Sequence, residues 1–319
     1  MNVLVTGAAG YLGSNLLKKL IEMSNVKEAQ WNIIAADIRD ISIKDDCIQF
    51  VHLDVRSEQM SEVMKQYEIE TVVHLASIVT PGKKSNREFE YAVDVKGTEN
   101  VLKACVENKV KRIVLTSSGA AYGYHRDNAE WITEDHPIRG NEAFAYAHHK
   151  RLVEERLSQY REQHPELEQV IFRVGTILGK STNNQITSLF EKKMLVGIHG
   201  SKSPFVFIWD QDVVACLIKG IVDKQTGIFN VAGDGALTIT DVAHILNKKI
   251  LWIPSWLLKS ILFILKRLSL TQYGEEQVNF LRYRPVLDNY KLKHEFGYTP
   301  KLTSMQVFQY FLEQKHNTK

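Results

Sequence analysis

A tyrosine and a lysine stand four residues apart in the sequence Tyr-Ala-His-His-Lys, which begins at Tyr146 and ends at Lys150. On a helix this spacing places the two side chains next to each other on one face. An ammonium group nearby favours the phenolate form of a tyrosine, which can exchange a proton with an alcohol near neutral pH. The pair therefore predicts acid/base chemistry at a hydroxyl of the substrate.

Three hydroxyl-bearing residues, Thr116, Ser117 and Ser118, come at the end of a predicted strand over 112–117. Ligands gather at the carboxyl ends of the strands of a parallel sheet. A hydroxyl at this position can donate a hydrogen bond to a substrate oxygen. A tyrosine–lysine pair often occurs by chance, and its combination with these hydroxyls makes the predicted site more specific.

The chain opens with the pattern V-L-V-T-G-A-A-G-Y-L-G from Val3 to Gly13, which predicts a strand, a glycine turn and the start of a helix. Gly7 permits the tight turn, Gly10 lets the backbone approach a pyrophosphate, and Gly13 lets the helix pack closely. The helix N-terminus offers free N–H groups to the anion. Although the usual spacing is G-x-G-x-x-G, the strand and helix around the turn predict a dinucleotide site.

Acidic residues after the next two strands indicate which dinucleotide binds. Asp37 ends the second predicted strand, where its carboxylate can accept hydrogen bonds from the adenosine ribose and repel a 2′-phosphate. We therefore expect NAD rather than NADP, although Arg39 could accommodate that phosphate. Asp54 follows the third strand and could reach the adenine amino group, or it could be a solvated turn residue.

The elements that position these residues alternate between strands and helices over the first 175 residues. Strands are predicted over 2–6, 31–36, 48–53, 71–76, 112–117 and 169–174, with helices over 11–23, 57–67, 89–108 and 144–164. This alternation predicts an α/β fold with a doubly wound parallel sheet, the Rossmann fold. We expect residues 1–175 to form this domain, with segments near 205–235 returning to it. Residues 176–319 then form a smaller, mainly helical lobe that binds the substrate.

Charge and cysteine content exclude several classes of protein. The 40 basic and 37 acidic residues give a net charge of +3, which provides no electrostatic case for nucleic acid. Cys47, Cys105 and Cys216 lie far apart without metal-ligand spacing, so we expect no metal site. The sequence starts directly with a strand and carries no signal-peptide pattern. Together with the three cysteines, this leads us to expect a cytoplasmic protein.

At this point the sequence resembles the extended short-chain dehydrogenase/reductases, the NAD-dependent epimerase/dehydratase group. The resemblance spans most of the chain and rests on the following motifs: the glycine turn with Asp37, Asp54-Val55, His74-Leu75-Ala76, Gly97-Thr98-Glu99-Asn100, Thr116-Ser117-Ser118 with Tyr122-Gly123, Tyr146 to Lys150, Arg173, and Phe229-Asn230-Val231-Ala232-Gly233.

The resemblance implies roles for individual residues. Tyr146 becomes the acid/base, Lys150 its partner, and Ser118 the donor to the substrate oxygen, with Ser117 as the less favoured donor. The implied cofactor contacts are Gly7, Gly10, Tyr11, Leu12, Gly13, Asp37, Ile38, Arg39, Asp54, Val55, Leu75, Ala76, Ser77, Thr116, Tyr146 and Lys150. The expected substrate contacts are Ser117, Ser118, Thr176 and Arg284. The family often forms homodimers through the helices near 89–108 and 144–164.

Departures from the family pattern bear on the substrate. Gly119-Ala120 replaces the acidic residues that family dehydratases carry after the strand, which argues against a 4,6-dehydratase. Thr176 replaces an asparagine that is usual in nucleotide-sugar epimerases, and Ser203-Pro204-Phe205-Val206 lacks their usual arginine. Asp94 also replaces a usual asparagine. Arg282 and Arg284 could still grip a phosphate, or could simply pack in the lobe.

Three functions stay open. We favour an oxidoreductase that interconverts an alcohol and a ketone with NAD, on a small-molecule substrate other than a typical nucleotide sugar. The first alternative is a nucleotide-sugar epimerase with tightly bound NAD. The second is a non-catalytic NAD-binding protein on the same fold, against which the intact Ser118, Tyr146 and Lys150 argue.

For several other residues we favour a structural role over a functional one. His148 and His149 are expected on a helix surface, and His74 is expected as a strand residue rather than a metal ligand. The apolar stretch over 252–270 contains Lys259, Lys266 and Arg267, too many charges for a membrane span. We expect a helix buried in the C-terminal lobe. The alternatives are a lid over a lipophilic substrate and a helix lying on a membrane surface.

Overall fold

A seven-stranded parallel sheet lies at the centre of the computed structural model, which describes residues 1–25, 31–79, 86–268, 270 and 274–316. The strands of the described chain are β1 (Asn2–Thr6), β2 (Asn32–Asp37), β3 (Ile48–His52), β4 (Thr71–His74), β5 (Arg112–Ser118), β6 (Glu168–Val174), β7 (Thr176–Leu178), β8 (Leu195–Ile198), β9 (Phe207–Trp209), β10 (Gly227–Val231) and β11 (Ile250–Ile253). The sheet order is β10-β6-β5-β4-β1-β2-β3. This order confirms the predicted Rossmann-like α/β fold.

Helices connect the strands and cover both faces of the sheet. They are α1 (Tyr11–Asn25), α2 (Gln59–Gln66), α3 (Arg87–Tyr91), α4 (Gly97–Glu107), α5 (Ala145–Gln163), α6 (Gln185–Glu191), α7 (Asp210–Val222), α8 (Ile239–Ile245), α9 (Ser255–Arg267), α10 (Glu276–Arg282), α11 (Tyr290–His294) and α12 (Ser304–His316). A π-helical segment over Ala92–Lys96 joins α3 to α4, and a 3₁₀ turn over Gly119–Tyr122 follows β5.

Alternate residues of β1 show why the sheet must be covered on both sides. Val3 and Val5 pack with Leu16 and Leu17 of α1 on one face. Leu4, between them, packs with residues of α4 on the other face. Successive side chains of a strand point to opposite faces, so an uninterrupted apolar strand requires two cores. The sheet is therefore rigid, and the residues at its carboxyl edge are held in place.

The C-terminal lobe contains more β-structure than the sequence predicts. Two pairs of parallel strands, β7 with β9 and β8 with β11, lie outside the main sheet. These strands are only three or four residues long, too short to show a readable periodicity. Strand β10 pairs with β6 at the edge of the main sheet. The lobe has its own aromatic core, which includes Phe190, Phe207 and Phe308.

His74, at the end of β4, is a structural residue, in keeping with the sequence interpretation. It is buried, and its Nδ1 lies 2.7 Å from Thr6 Oγ1 while its Nε2 lies 3.0 Å from Thr98 Oγ1. Thr98 donates its own proton to the Asp94 carbonyl, so Nε2 of His74 donates and Nδ1 accepts. Burial, with help from Lys150, lowers the pKa of His74 to about 3. The neutral imidazole thus links β1, β4 and α4.

This histidine predicts acid sensitivity of the fold. Between its folded pKa of about 3 and an unfolded value of about 6.5, the unfolded chain binds the extra proton, so stability falls as the pH falls. His74 should reduce the free energy of unfolding by about 2 kcal/mol between about pH 6.5 and pH 5. Urea unfolding at both pH values should therefore show a flatter pH dependence for His74→Gln. The control His52→Gln, at an exposed position, should keep the wild-type slope, and an unchanged slope in His74→Gln would refute this explanation.

Helix α9 differs from the sequence expectation. We expected a helix buried in the lobe, yet none of its described side chains is buried. Hydrophobic periodicity indicates which residues share a face but not whether a neighbouring element covers that face. Among the described residues, no helix is long and apolar enough to cross a membrane.

Candidate active site

The glycine turn joins β1 to α1 as predicted. Gly7 has a φ of 71°, and a Cβ at this position would lie 2.6 Å from the amide nitrogen of Ala76. A Cβ at Gly13 would lie 2.3 Å from the carbonyl oxygen of Gly7. Both positions therefore require glycine, for the left-handed backbone and for the close approach of α1. The turn and the first residues of α1 line an open cavity, at the helix end whose N–H groups have no partner within the helix.

Asp37 lies at the end of β2 and is held next to this turn. Its Oδ2 accepts a hydrogen bond from Ala9 N at 3.0 Å, and its Oδ1 accepts from Arg39 N at 3.0 Å. Arg39 Nε lies 3.5 Å from the same carboxylate, but the arginine side chain is mostly exposed. Ile38 is also exposed. The carboxylate is thus fixed beside the glycine turn, while Arg39 and Ile38 form the outer border of this region.

A charge-selectivity prediction follows from Asp37. Because its carboxylate would repel a 2′-phosphate, we expect NAD to bind at least about ten-fold more tightly than NADP. Asp37→Ser should reduce or reverse this preference, as measured by the two dissociation constants. The matched control is Asp46→Ser. It removes an exposed carboxylate just before β3, at the amino edge of the sheet and away from Asp37. Tighter binding of NADP by the wild type would contradict the argument.

Asp54 is more strongly engaged than the sequence indicates. Its carboxylate pairs with Arg56, with 2.6 Å between Oδ2 and Nη2, and this arginine lowers the pKa of Asp54. A contact between Asp54 and adenine stays a prediction. Val55 is buried beneath Gly97, where a Cβ would lie 2.7 Å from its side chain. Val55 therefore supports the packing of α4 against the loop after β3.

The predicted tyrosine–lysine pair lies at the start of α5. Tyr146 is in the first turn of the helix, and Lys150 follows one turn later. The Lys150 ammonium donates a hydrogen bond to the Thr116 carbonyl at 3.2 Å and lies 5.7 Å from the centre of the Tyr146 ring. Lys150 is largely buried, and its ammonium has two further N–H donors. Both side chains line the cavity that begins at the glycine turn.

Ser117 and Ser118 point in different directions because they are neighbours on a strand. Ser117 is buried and donates its hydroxyl proton to Glu154 Oε1 at 2.5 Å, so this hydroxyl faces a buried network. Ser118 Oγ accepts a hydrogen bond from Ala120 N at 3.1 Å. Within the described residues its proton has no acceptor, so Ser118 can donate to a ligand. The Ser118 hydroxyl is therefore available to a ligand, whereas the Ser117 hydroxyl is engaged with Glu154.

One cavity of about 770 Å³ connects most of the predicted residues. It runs from the glycine turn past β4 and β5 to α5 and the C-terminal lobe. The predicted residues that line it are Gly7, Gly10, Tyr11, Leu12, Gly13, Leu75, Ser77, Thr116, Ser117, Ser118, Tyr146, Lys150, Thr176 and Arg284. The predicted residues outside this lining are Asp37, Ile38, Arg39, Asp54, Val55 and Ala76.

The lining fits a dinucleotide in its polar groups as well as its glycines. Ser77 Oγ is buried in this lining and has no hydrogen-bond partner among the described residues. Such a group requires a partner from a ligand or water, because an unsatisfied buried hydroxyl is costly. Tyr11 is fixed by its hydroxyl, which donates to Asp210 Oδ2 at 2.6 Å. The described residues contain no cluster of three or more His, Cys, Asp or Glu that could hold a metal ion.

His149 corrects an expectation from the sequence. We expected it on the helix surface, but it is buried, and its Nδ1 lies 3.4 Å from Asp94 Oδ2. The other carboxylate oxygen of Asp94 accepts a hydrogen bond from Ile78 N at 2.8 Å. Asp94, which stands where the family usually has asparagine, thus holds the loop after β4 against α5. His148 is half-buried and contacts Arg87.

Arg284 occupies the far wall of the cavity, where the sequence places a substrate contact. It is buried, with its guanidinium 4.0 Å from the centre of the Phe205 ring and 5.0 Å from that of Phe280. Its Nη1 donates to the Ser203 carbonyl at 3.4 Å, and its Nε has no partner among the described residues. Burial lowers its pKa, opposed by Tyr124. A buried cation with spare donors is suited to an acceptor group of the substrate.

Several cavity residues are not predictable from the sequence because they lie on elements that meet only in the fold. Phe280 on α10 stacks on Phe144 just before α5, and Tyr124 meets both rings edge-on. Glu90 on α3 is a buried carboxylate in the lining. The sequence carries no motif that distinguishes these residues from ordinary core or helix residues.

Comparison with known proteins agrees with this geometry. The sequence model of the NAD dependent epimerase/dehydratase family matches residues 3–232. An uncharacterized protein of Mycobacterium tuberculosis is 23% identical over 307 residues, which cover 96% of this chain and 82% of the relative. A Methanocaldococcus jannaschii protein with a provisional assignment as a UDP-glucose 4-epimerase is 29% identical over 210 residues. The alignment covers 64% of this chain and 65% of that relative. The 3 beta-hydroxysteroid dehydrogenase/Delta 5-->4-isomerase of vaccinia virus is 29% identical over 154 residues. The alignment covers 47% of this chain and 44% of the viral protein.

Solved structures of similar fold include a UDP-glucose 4-epimerase from Thermotoga maritima with UDP-glucose. It has a TM-score of 0.73 and 19% identity, and the alignment covers 100% of this chain and 99% of that one. A dTDP-glucose 4,6-dehydratase from Streptomyces venezuelae with NAD and TYD bound has a TM-score of 0.76 and 19% identity. The alignment covers 99% of this chain and 97% of that one. At this identity the likeness concerns the fold. The family match over most of the chain shows that this protein belongs to the NAD-dependent epimerase/dehydratase family and is an NAD-dependent enzyme.

Proposed function

We propose that this enzyme catalyses reversible hydride transfer at a secondary alcohol or ketone carbon, with Tyr146 as the acid/base. The observation that carries the proposal is that Ser118, Tyr146 and Lys150 line the same cavity as the glycine turn. Bound NAD supplies the hydride acceptor or donor. The cavity thus joins a dinucleotide site to three groups suited to handle a hydroxyl.

Each of the three side chains has a defined task in this proposal. Ser118 donates a hydrogen bond to the substrate oxygen. Its Oγ accepts from Ala120 N, so its hydroxyl proton stays available for this bond. Tyr146 removes the hydroxyl proton during oxidation and returns it during reduction. Lys150, anchored to the Thr116 carbonyl, supplies a positive charge beside Tyr146. The position of Tyr146 in the first turn of α5 places it near the positive end of the helix dipole.

We further propose that the substrate is an apolar alcohol or ketone rather than a typical nucleotide sugar. The part of the cavity around Tyr146 is walled by apolar and aromatic side chains: Tyr124, Phe144, Val206, Phe280 and Leu287. Val206 belongs to the segment over 203–206 in which the usual epimerase arginine is replaced. Such walls stabilise an apolar body by burying its surface.

A nucleotide-sugar epimerase is the second candidate, and Arg284 is the residue that would serve it. Its buried guanidinium has an unpartnered Nε and could bind a diphosphate, and an acceptor group on an apolar substrate would satisfy it as well. A non-catalytic NAD-binding protein is the weakest candidate, because it would have no need for Ser118, Tyr146 and Lys150 to line one cavity.

Reduced-nicotinamide absorbance distinguishes these candidates. The enzyme with NAD should be supplied in parallel with lipophilic secondary alcohols and with UDP- and GDP-sugars. The proposed oxidoreductase forms reduced nicotinamide in stoichiometric amounts from an alcohol. An epimerase converts the sugar without net reduction and retains its cofactor. If no compound produces either signal although NAD binds, the non-catalytic alternative is favoured.

We also propose a homodimer formed through α3–α4 and α5. Helices α4 and α5 pack against each other on one side of the sheet, which a four-helix interface with a second copy requires. Sedimentation equilibrium would test this, with a monomer at micromolar concentration as the contradicting result. The cytoplasm is our proposed location, since all three cysteines are unpaired.

A further inference from the structure

Helix α9 presents an apolar face to the outside of the protein. Its exposed positions 256, 257, 260, 261, 263, 264, 267 and 268 follow the spacing of one helix face, and the exposed Lys266 lies at the edge of that face. The residues at the opposite positions, Leu258, Leu262 and Leu265, are half-buried and face the rest of the lobe. The outward side chains are apolar except for Ser260 and Arg267, and Trp256 is 68% exposed. A surface helix of a globular protein normally shows the reverse arrangement.

The strands before α9 extend this apolar surface. Leu251 of β11 and Val196 of β8 are paired residues of neighbouring strands, and both side chains are exposed. Trp252 follows and packs over Gly197 with 40% of its surface exposed. We use the name α9 surface for the outward face of α9 together with Met194, Val196, Leu251 and Trp252.

The segments that form the α9 surface are strongly basic. Residues 192–202 and 248–268 contain eight lysines and arginines and no aspartate or glutamate, whereas the whole chain has a net charge of only +3. Acidic partners from elsewhere contact two of these cations, with Glu276 3.5 Å from Lys266 and Glu130 3.9 Å from Lys202. The α9 surface thus combines exposed tryptophans and aliphatic side chains with a concentrated positive charge.

We propose that the α9 surface binds to an anionic lipid bilayer, with α9 lying in the plane of the headgroups. Tryptophan rings favour the interface between water and hydrocarbon, and the aliphatic side chains of such a helix enter the acyl boundary. Lysine and arginine next to them are attracted to anionic headgroups, each contributing on the order of 1 kcal/mol. The location fits the cytoplasmic leaflet, where anionic lipids are concentrated.

The charge argues against a second copy of the chain as the occupant. A two-fold contact would place the same patch of both copies face to face. Two predominantly basic surfaces would then repel each other at close range. The lid interpretation from the sequence also receives no support, because within the described residues no side chain of α9 lines the cavity.

Contact with a bilayer would place the lipid next to the cavity. Helix α9 packs against α10, and α10 supplies Glu276, Gln277 and Phe280 to the cavity lining. A lipophilic substrate could therefore pass from the bilayer to the cavity over a short distance. This consequence rests on the proposed substrate class, whereas bilayer binding itself does not depend on any catalytic residue.

Vesicle flotation of the full chain tests the proposal. The probes are phosphatidylcholine vesicles with and without phosphatidylserine. We expect binding to the phosphatidylserine vesicles that weakens as salt is raised. Trp256→Ser/Ile264→Ser should weaken this binding at least about ten-fold through lost apolar burial. Val222→Ser/Tyr290→Ser, which removes exposed apolar side chains from other surfaces, is the matched control and should bind as the wild type does.

The contributions of charge and of apolar burial to vesicle binding can be measured separately. Lys249→Gln/Arg267→Gln should weaken binding to phosphatidylserine vesicles by roughly 25-fold, about five-fold for each cation, with little effect on phosphatidylcholine vesicles. Tyr146→Phe should bind vesicles as the wild type does, so failure of the catalytic proposal and of this one can be told apart. The proposal is overturned if wild type does not float with phosphatidylserine vesicles, or if the Trp256 and Ile264 changes leave flotation intact. It is also overturned if those changes instead dissociate an oligomer.

Discussion

Replacing Tyr146 by phenylalanine is expected to lower kcat by about 10²- to 10⁴-fold, the usual contribution of a positioned general acid or base. The change removes one hydroxyl and keeps the ring that packs beside Tyr124 and Phe280. Because the glycine turn and Asp37 are untouched, the dissociation constant of NAD should change far less than kcat does, even though Tyr146 is an expected cofactor contact. Steady-state kinetics and cofactor titration of the same preparations measure both quantities.

The control for this variant is Tyr160→Phe. Tyr160 lies on the same helix but packs against the core cluster behind the sheet, away from the cavity. The Tyr160→Phe variant should leave kcat and NAD binding unchanged. If Tyr146→Phe kept the wild-type kcat, Tyr146 would not be the acid/base and a different proton acceptor in the cavity would be needed.

The second large effect concerns stability and comes from a buried ion pair behind the site. Arg173 on β6 contacts Glu154 on α5, with 2.6 Å between Nη2 and Oε2, and both side chains are buried. Burial opposes the charge of Arg173, but the ion pair with Glu154 outweighs it and raises the pKa of this arginine. Ser117 and Tyr122 complete the network with hydrogen bonds to Glu154 and Arg173. The network ties α5, which carries Tyr146 and Lys150, to the sheet.

Arg173→Met is therefore expected to lower the free energy of unfolding by about 3–5 kcal/mol, because it leaves the Glu154 charge buried without its partner. Urea unfolding followed by circular dichroism measures the change. Arg139→Met breaks an exposed ion pair with Asp127 and should cost at most about 1 kcal/mol. The double variant Glu154→Leu/Arg173→Met removes both charges and should regain part of the loss. A change below about 1 kcal/mol for Arg173→Met would mean that the pair contributes little to the fold.

Local sequence patterns predict the main features of the site. The glycine turn, the ends of β2 and β5 and the Tyr146–Lys150 pair each depend on residues that are close in sequence, and all lie at the predicted places. The carboxyl edge of a parallel sheet brings them together, which is a property of the fold and needs no further information.

Features that depend on long-range packing were not predictable in this way. The periodicity of α5 places His149 on one face, but only the fold shows that α3–α4 and Asp94 cover that face. The same limit applies to α9, whose apolar composition predicts burial that the lobe does not provide. Phe280 and Arg284 reach the cavity because α10 and the chain after it fold back over the sheet edge.

The central claim is that the enzyme transfers a hydride between a substrate carbinol carbon and NAD, with Tyr146 as the acid/base. A single-turnover reaction with a substrate identified in the absorbance screen, deuterated at that carbon, tests this directly. Reduced nicotinamide should form, stoichiometrically or transiently. Deuterium should slow its appearance, and Tyr146→Phe should slow it further. Conversion of the substrate without any reduced nicotinamide, at a rate unaffected by deuterium, would contradict the account.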